Sequence, residues 1–363
     1  MKMKRRGFIK NSLGLTALGA LGGSLFGPSK GKTEELEQEE TCGSGKKIVW
    51  KLQTYAGESL GQHVIRRSID AFNKAADGRM EIKLYYADQL VPSKDILYAL
   101  KNGDLDSVQI DDTALGKDID ISVFSGYFPL ACQYSLDVPV LFNDWGLDAI
   151  WQDAYRNLPG VTWLGTGAWD PCHFSTKNKI GSVDDLAGLR ICTFPVMGRF
   201  LSRFGVSVQN LESNEIIPAL QHNGLDGVAW SGITEVYTMD WYKYLNYFLT
   251  NSLSNAWFGS YFANTKRWLA LPESLKELFK MAMDSSHYYR NHWYWGGETR
   301  LRVTGGGRSK KLELSVLPEK DWNIIESEAD SFWDEIAGMS DRNRKVIDIL
   351  REYRSMYLRS GGR

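Results

Sequence analysis

The chain has 363 residues, a formal net charge of -1 and 24% charged residues. This length allows two lobes, and the near-neutral charge argues against a nucleic-acid-binding protein, which needs a concentrated basic surface. Aromatic residues are abundant, at 12% of the sequence, and tryptophan and tyrosine often line pockets for organic ligands. The composition therefore favours a globular protein with a small-molecule site.

The N-terminus has the features of an export signal. Arg5 and Arg6 precede an apolar run over 13–26. This order is typical of a twin-arginine signal, and the run is about 21 Å long as a helix, too short to cross a hydrocarbon core of about 30 Å. We predict a signal at 1–27, with an uncleaved anchor as the alternative, a disordered linker at 28–47 and a periplasmic location.

The first folded segment alternates strands and helices. Apolar and polar residues alternate over 48–55, and the pattern then predicts a helix over 60–76, a strand over 80–86 and a helix over 93–101. This β-α-β-α order favours a mostly parallel sheet with helices on its faces.

Two segments about 120 residues apart share one pattern. In each, an Ala-Leu pair in a predicted helix is followed by a glycine, an aspartate (Asp106 or Asp226) and a short apolar strand. The glycine lets the chain reverse at the helix C-terminus, and the strand ends at the sheet edge where α/β proteins bind ligands. The repeat predicts two similar lobes that face each other across a cleft.

The second half of the chain continues this alternation and ends in helices. A strand is predicted over 188–194 and a helix over 197–204, and a long helix follows Pro272. Two amphipathic helices are predicted over 319–336 and 341–357.

The cysteines and histidines form no metal or redox pattern. Cys42, Cys132, Cys172 and Cys192 contain no C-x-x-C pair, and both a Cys172–Cys192 disulfide and packed thiols fit the sequence. The five histidines lack metal-ligand spacing. We therefore predict no metal and no cofactor.

Three motifs in the same order resemble one family. Residues 182–191, 215–227 and 264–272 resemble the D-L-x-G-L-K-I, E-x-Y-x-A-L-Q-x-G-x-x-D-G and N-K-x-x-W-x-x-L-P motifs of the solute receptors of tripartite ATP-independent periplasmic (TRAP) transporters, the DctP family. The similarity extends over about 50–283. Within the family, the segments 50–54 and 228–230 are most similar to the branch that binds 2-oxo acids.

The resemblance implies both a fold and a function. The expected fold is a two-lobed α/β periplasmic binding protein with a ligand cleft between the lobes and long connecting and C-terminal helices. We place lobe I at 48–162 and 258–316, lobe II at 163–257 and the C-terminal helices at 317–363.

The expected function is that of an extracytoplasmic receptor that closes on a small organic acid. It would deliver this acid to a permease with a large and a small membrane subunit, without chemistry of its own. The alternatives are a periplasmic enzyme exported by the twin-arginine pathway and a receptor for a signalling partner. The C-terminal helix leaves a monomer and a helix-swapped homodimer open.

Three positions depart from the pattern of the 2-oxo-acid branch. Cys192 stands where the family has its carboxylate-binding arginine, Trp169 where the branch has glutamine, and Ala229 where it has a cation-binding glutamate. We therefore expect a roomier, more apolar pocket without a cation, in which Trp169 and Trp230 stack on an aromatic or hydrophobic acid. Arg199 is the candidate for the missing counter-charge; a solvated helix arginine is the alternative.

Lobe I offers further candidates for the site. Gln53 and Tyr55 end a predicted strand at the cleft edge, and Asp111 ends the strand that mirrors the one at 228–231. Two roles are open for Asp111, since it can accept a hydrogen bond from a ligand amine or hydroxyl, or from its own turn. Trp257 is a candidate for the cleft or for the packing of the hinge.

Overall fold

The computed structural model describes residues 46–115, 119–168, 170–211, 213–307 and 310–360. The predicted signal and nearly all of the predicted linker lie outside these residues. Within the described ranges, no helix combines the length and the apolar character that a membrane crossing requires.

The strands alternate with helices along the chain, as the sequence predicts. In chain order the strands are β1 (Ile48–Thr54), β2 (Met80–Tyr85), β3 (Ser107–Ile110), β4 (Val161–Ala168), β5 (Phe174–Thr176), β6 (Arg190–Thr193), β7 (Ser207–Gln209), β8 (Gly227–Ala229), β9 (Tyr247–Leu249), β10 (Phe258–Asn264) and β11 (Glu313–Ser315).

The α-helices include the predicted long helix and the two predicted C-terminal helices. They are α1 (Glu58–Val64), α2 (Arg66–Ala75), α3 (Ile96–Asn102), α4 (Asp137–Asn143), α5 (Leu147–Tyr155), α6 (Pro195–Ser202), α7 (Ser213–Gln221), α8 (Ile233–Thr238), α9 (Thr265–Leu269), α10 (Glu273–Thr304), α11 (Glu319–Ala337) and α12 (Asp341–Arg359). The helix predicted over 60–76 is two helices, because Ile65 leaves the helical conformation at φ -134°.

These strands form two sheets with similar centres. The first has the order β2-β1-β3-β10-β4 and the second the order β11-β9-β5-β8-β6-β7. In the first sheet β1 is parallel to β2 and β3, and in the second β6 is parallel to β7 and β8. Strands β10 and β5 add antiparallel pairs. The predicted α/β architecture with two sheets is confirmed.

Two strands pair in a different sheet from the one that the expected lobe boundaries imply. Strand β4 begins within predicted lobe I but extends through residues assigned to lobe II, and it pairs with β10 in the first sheet. Strand β11, which we assigned to lobe I, pairs with β9 in the second sheet. Local sequence patterns predict that a strand forms but do not specify its partner, which long-range contacts decide.

The sequence repeat corresponds to a repeated hydrogen-bond arrangement. The Lys51 amide donates to the Asp106 carboxylate (2.7 Å), and the Asp106 amide returns a bond to the Lys51 carbonyl (3.0 Å). Arg190 and Asp226 form the same pair of bonds, each of 2.9 Å. Each aspartate thus fixes the entry of its strand, β3 or β8, beside a central parallel strand.

Helix α10 joins the two halves of the molecule. It packs against α1, α2 and β4 on the side of the first sheet and against α8 on the side of the second. Its buried residues include Phe279 near its start and Arg290 and Tyr294 near its middle. Helix α12 packs against α11, α4 and α5 of its own chain.

Candidate ligand-binding site

The ends of strands from both sheets converge on one region. Tyr55 follows β1 and Asp170 lies two residues after β4, while Phe194 follows β6 and Trp230 follows β8. Trp257 immediately precedes β10, whose antiparallel direction brings its start to the same edge. This is the edge at which α/β proteins bind ligands.

Five aromatic side chains at this edge form what we call the aromatic cluster: Tyr55, Tyr127, Phe194, Trp230 and Trp257. Tyr55 stacks on Trp257 with ring centroids 4.8 Å apart, and Phe194 lies 4.5 Å from Trp230, 5.2 Å from Tyr127 and 6.2 Å from Trp257. The contacts of Phe194 connect residues at the ends of the second sheet with Trp257 at the end of the first.

Three ionisable side chains lie beside these rings and form what we call the charged cluster: Asp170, Glu235 and Arg290. Their side chains are almost fully buried, at 3%, 2% and 0% exposure. The Arg290 guanidinium lies 3.7 Å from the Asp170 carboxylate and donates to the Tyr55 hydroxyl at 3.2 Å. Burial of three such groups is expensive unless each is stabilised by its neighbours.

Tyrosine hydroxyls connect the charged cluster to the surrounding elements. Tyr127 donates to the Asp170 carboxylate and accepts a 3.1 Å bond from the Ser231 amide. Tyr294 of α10 donates to Glu235 of α8 at 2.8 Å. Ser231 is fully buried and has a left-handed φ of 58°, a strained conformation for serine that directs its amide to Tyr127.

The environment of Glu235 favours its neutral form. Burial, and then the nearby Asp170 carboxylate, raise the pKa of Glu235 to about 8. Burial also raises the pKa values of Tyr127 and Tyr294, so these phenols stay protonated. A cation brought next to Glu235 would favour its ionised form and lower this pKa.

Three of the predicted site residues lie in the aromatic cluster: Tyr55, Trp230 and Trp257. Trp169 lies outside the described residues, so its predicted stacking stays a prediction. Asp111 borders the cluster, since a β-carbon added at Gly126 would lie 3.3 Å both from its Oδ2 atom and from Phe194. Asp111 also accepts a 2.8 Å bond from the Thr113 amide, so it has the turn role that the sequence left open.

Gln53, Cys192 and Ala229 lie within or at the ends of strands and pack in the interior. The Gln53 amide is fully buried, donating to the Val91 carbonyl (2.8 Å) and accepting from the Leu90 amide (3.0 Å). The Cys192 thiol donates to the Leu211 carbonyl at 3.8 Å, and Ala229 accepts a bond from the Thr193 hydroxyl. These contacts hold the fold around the site.

Arg199 lies away from the site, so the structure contradicts the prediction that it provides the counter-charge. Its guanidinium is half-exposed and pairs with Glu335 of α11 at 2.7 Å. Because Pro195 starts α6, Arg199 comes one turn later and faces the C-terminal helices. The buried cation is instead Arg290 of α10.

The charged cluster was not among the site residues predicted from the sequence. One signal was present: Arg290 lies between Ser286 and Tyr294 at intervals of four residues, on the same buried stripe of α10 as Phe279. A charged residue on the apolar stripe of a helix indicates a buried functional group. Asp170 and Glu235 gave no comparable signal, because they follow strand β4 or lie in the short helix α8.

The site shows no metal centre in the part of the chain that the structure describes. No group of three or more His, Cys, Asp or Glu side chains is arranged there to hold an ion. The charged cluster contributes only two carboxylates, and its third member, the guanidinium of Arg290, cannot ligate a metal.

The chain is similar to known solute-binding proteins in sequence. The family model of bacterial extracellular solute-binding protein family 7 (DctP) matches residues 69–337. A monocarboxylate 2-oxoacid-binding periplasmic protein from Nostoc sp. is 26% identical over 279 residues, which cover 72% of this chain and 72% of that protein. The resemblance to TRAP receptors that the motifs indicated is confirmed.

Solved structures give the same assignment. A TRAP periplasmic solute-binding protein from Chromohalobacter salexigens with bound (S)-(+)-2-amino-1-propanol is 50% identical, with a TM-score of 0.81 over 86% of this chain and 97% of that one. One from Pseudoalteromonas atlantica with bound sodium and pyruvate shares the fold at 19% identity, with a TM-score of 0.74 over 87% of this chain and 96% of that one. The chain therefore belongs to the DctP family and is an extracytoplasmic solute receptor that works with a TRAP membrane permease, neither an enzyme nor a receptor for signalling.

Proposed function

We propose that this receptor binds a small organic molecule with a protonated amine and a hydroxyl group, the class to which (S)-2-amino-1-propanol belongs. One observation carries the proposal: two buried carboxylates, Asp170 and Glu235, share the charged cluster with the guanidinium of Arg290. The 50% identical relative from Chromohalobacter salexigens, which has that amino alcohol bound, supports the same ligand class.

The charge balance of the cluster favours a cation. Arg290 and Asp170 offset each other at 3.7 Å, so the state of Glu235 decides the net charge. With Glu235 ionised the cluster carries one excess negative charge, and a protonated amine would neutralise it. A carboxylate ligand would instead leave an excess negative charge even with Glu235 protonated, which is costly in a buried site.

The aromatic cluster suits the same ligand. The faces of tryptophan and tyrosine rings attract ammonium groups, most strongly where water is excluded. Trp257 and Tyr127 are buried and Trp230 is half-buried, and the hydroxyl of Tyr127 donates to the Asp170 carboxylate. A small amine would thus meet carboxylates and ring faces together, and its hydroxyl would have tyrosine hydroxyls as partners.

A small organic acid, which the sequence predicts, is the second candidate. A buried guanidinium such as that of Arg290 is a suitable carboxylate partner, and the 2-oxoacid-binding relative from Nostoc sp. supports this class. Arg290 already faces Asp170, however, so a carboxylate ligand would have to share it with that residue.

A thermal-shift panel on the mature protein tests the choice. We expect (S)-2-amino-1-propanol, at 100 times its dissociation constant, to stabilise the protein by about 2.7 kcal/mol. The neutral 1,2-propanediol and pyruvate should give much smaller shifts, and Glu235→Gln should reduce the shift with the amine. Glu277→Gln, an exposed change on α10, is the matched control. A shift with pyruvate alone would establish the organic-acid alternative.

We also propose that the twin-arginine motif directs export of the folded receptor. The exported receptor would deliver its ligand to a permease with a large and a small membrane subunit. Arg5→Lys together with Arg6→Lys should retain the protein in the cytoplasm; export of this variant would exclude the pathway.

The packing of α12 against helices of its own chain supports a monomer over the helix-swapped dimer. Light scattering of the purified receptor measures its mass and tests this choice.

A further inference from the structure

Helix α8, which carries Glu235, is anchored by a residue of another helix. Its N-cap residue, Gly232, provides no side-chain hydrogen bond. Instead Glu298 of α10 accepts a 2.9 Å bond from the Thr234 amide and a 3.1 Å bond from the Thr234 hydroxyl with its Oε1 atom. This carboxylate therefore takes the place of the missing cap at the start of α8.

Two glycines make this approach possible. A β-carbon added at Gly232 would lie 2.2 Å from the Glu298 Oε1 atom, and one added at Gly297 would lie 2.3 Å from the Thr234 hydroxyl. Both distances are far inside van der Waals contact. Glycine is thus needed at position 297, where a β-carbon would meet the short side chain of Thr234. At position 232 a β-carbon would instead displace the carboxylate of Glu298 from its place beside Thr234.

The second oxygen of Glu298 is also fixed. Its Oε2 atom accepts bonds from Arg302 Nε (3.2 Å) and Nη2 (3.0 Å) one turn further along α10. The Arg302 guanidinium lies 5.2 Å from the centre of the Phe248 ring and has a 3.3 Å contact with the His173 imidazole. Glu298 is therefore held from one side by Arg302 and holds α8 from the other.

We propose that Glu298 is a positioning residue that sets the orientation of Glu235 for the ligand. Helix α10 holds α8 at two points: Glu298 binds Thr234, and Tyr294 donates to Glu235 itself at 2.8 Å. Without the first contact, the six-residue helix α8 loses its N-terminal anchor, and Glu235 loses its fixed place in the charged cluster. The ligand class in this inference rests on the proposed function, whereas the anchoring of α8 does not.

Hydrogen–deuterium exchange without ligand tests the anchor directly. In Glu298→Ala the backbone amides of α8, beginning with Thr234, should exchange roughly fivefold faster than in the wild type, because a lost helix cap weakens its helix by about 1 kcal/mol. Glu298→Gln retains a carbonyl acceptor for Thr234 and should restore most of the protection. The control is Glu277→Ala, whose side chain is exposed on the same helix and pairs with Lys280. Unchanged exchange in folded Glu298→Ala would overturn the proposal, whichever ligand the receptor binds.

The affinity ratio of two matched ligands tests the positioning. Glu298→Ala should weaken binding of (S)-2-amino-1-propanol roughly tenfold, about 1.4 kcal/mol, with a smaller effect on 1,2-propanediol, because Glu235 recognises the amine. An equal loss for both ligands would indicate a structural role only and would overturn the positioning role of Glu298.

A different comparison applies if the wild type binds pyruvate and not the amine. The proposed ligand class then fails, and pyruvate replaces the amine in the comparison of wild type with Glu298→Ala. A loss of pyruvate affinity together with faster exchange would then support the positioning role, and an unchanged affinity would overturn it.

Discussion

The guanidinium of Arg290 and the carboxylate of Asp170 face each other 3.7 Å apart, and their side chains are 0% and 3% exposed. Arg290 comes from the long helix α10 and Asp170 follows strand β4. A buried ion pair is rarely an efficient way to stabilise a fold, because both groups lose their hydration. We interpret this pair as part of the recognition site.

Removing one partner of this pair should destabilise the protein strongly. Arg290→Met leaves the Asp170 carboxylate buried opposite an apolar side chain, and we expect a loss of about 3–5 kcal/mol in the free energy of unfolding. Adding Asp170→Asn should recover much of this loss. Urea unfolding of the wild type, the two single variants and the double variant measures the coupling between Arg290 and Asp170. A double variant no more stable than Arg290→Met would contradict this coupling.

Tyr127 should be required for ligand affinity through its hydroxyl. It donates to Asp170 and accepts from the Ser231 amide, so Tyr127→Phe removes the acceptor of that buried amide and one hydrogen bond from the Asp170 carboxylate, which keeps Arg290. We expect about tenfold weaker binding of (S)-2-amino-1-propanol, in line with a cost of about 1–3 kcal/mol for an unsatisfied buried group. Calorimetric titration measures this, with Tyr98→Phe as control because Tyr98 is 70% exposed. Equal affinities of the two variants would count against a role for Tyr127.

The fold was predictable from the sequence because it rests on local patterns. Alternation over 48–55 predicted β1, and the glycine–aspartate repeat predicted two similar units whose hydrogen bonds at Asp106 and Asp226 match. The assignment of β4 and β11 to a sheet was not predictable in this way. It depends on pairing with β10 and β9, which are distant in sequence.

The site was predictable only in part, because local sequence patterns do not show which distant segments meet in the fold. Tyr55 and Trp230 lie at the ends of predicted strands, so the rule that strand ends form the cleft located them. The charged cluster is assembled from segments that local patterns do not connect: Asp170 after β4, Glu235 in α8 and Arg290 in α10. The family motif placed the carboxylate-binding position at Cys192, and Arg199 of α6 was the predicted replacement for its charge, whereas the buried cation, Arg290, comes from α10.

The stability of the receptor should depend on pH through Glu235. Its pKa is about 8 in the folded protein, against an ordinary value of 4.5. Between these values the folded state binds more protons than the unfolded state, so the stability contribution is present below about pH 4.5 and is lost as the pH rises through 8. Glu235→Gln should therefore gain stability relative to the wild type between pH 5 and pH 8, by on the order of 2–4 kcal/mol. Urea unfolding at both pH values measures this, and a constant difference between the proteins would contradict the raised pKa.

The repeated aspartates should contribute to stability. Asp226 accepts a 2.9 Å bond from the Arg190 amide and pairs with its guanidinium at 2.7 Å. Asp226→Ala removes both interactions, and we expect a loss of about 1–3 kcal/mol. Asp70→Ala is the control, since Asp70 is exposed on α2, and a change there should stay within about 0.5 kcal/mol. Thermal unfolding of both variants tests the difference, and equal stability would contradict a structural role for the repeat.

The most direct test of the proposed ligand class is calorimetric titration of the wild type with (S)-2-amino-1-propanol near pH 7 in two buffers of different ionisation enthalpy. Glu235 is mainly protonated in the free receptor, because its pKa is about 8, and an ammonium group beside it would favour the carboxylate. We therefore predict binding with release of nearly one proton, seen as a dependence of the measured heat on the buffer. Absence of binding by the amine, together with tight binding of pyruvate, would contradict the account.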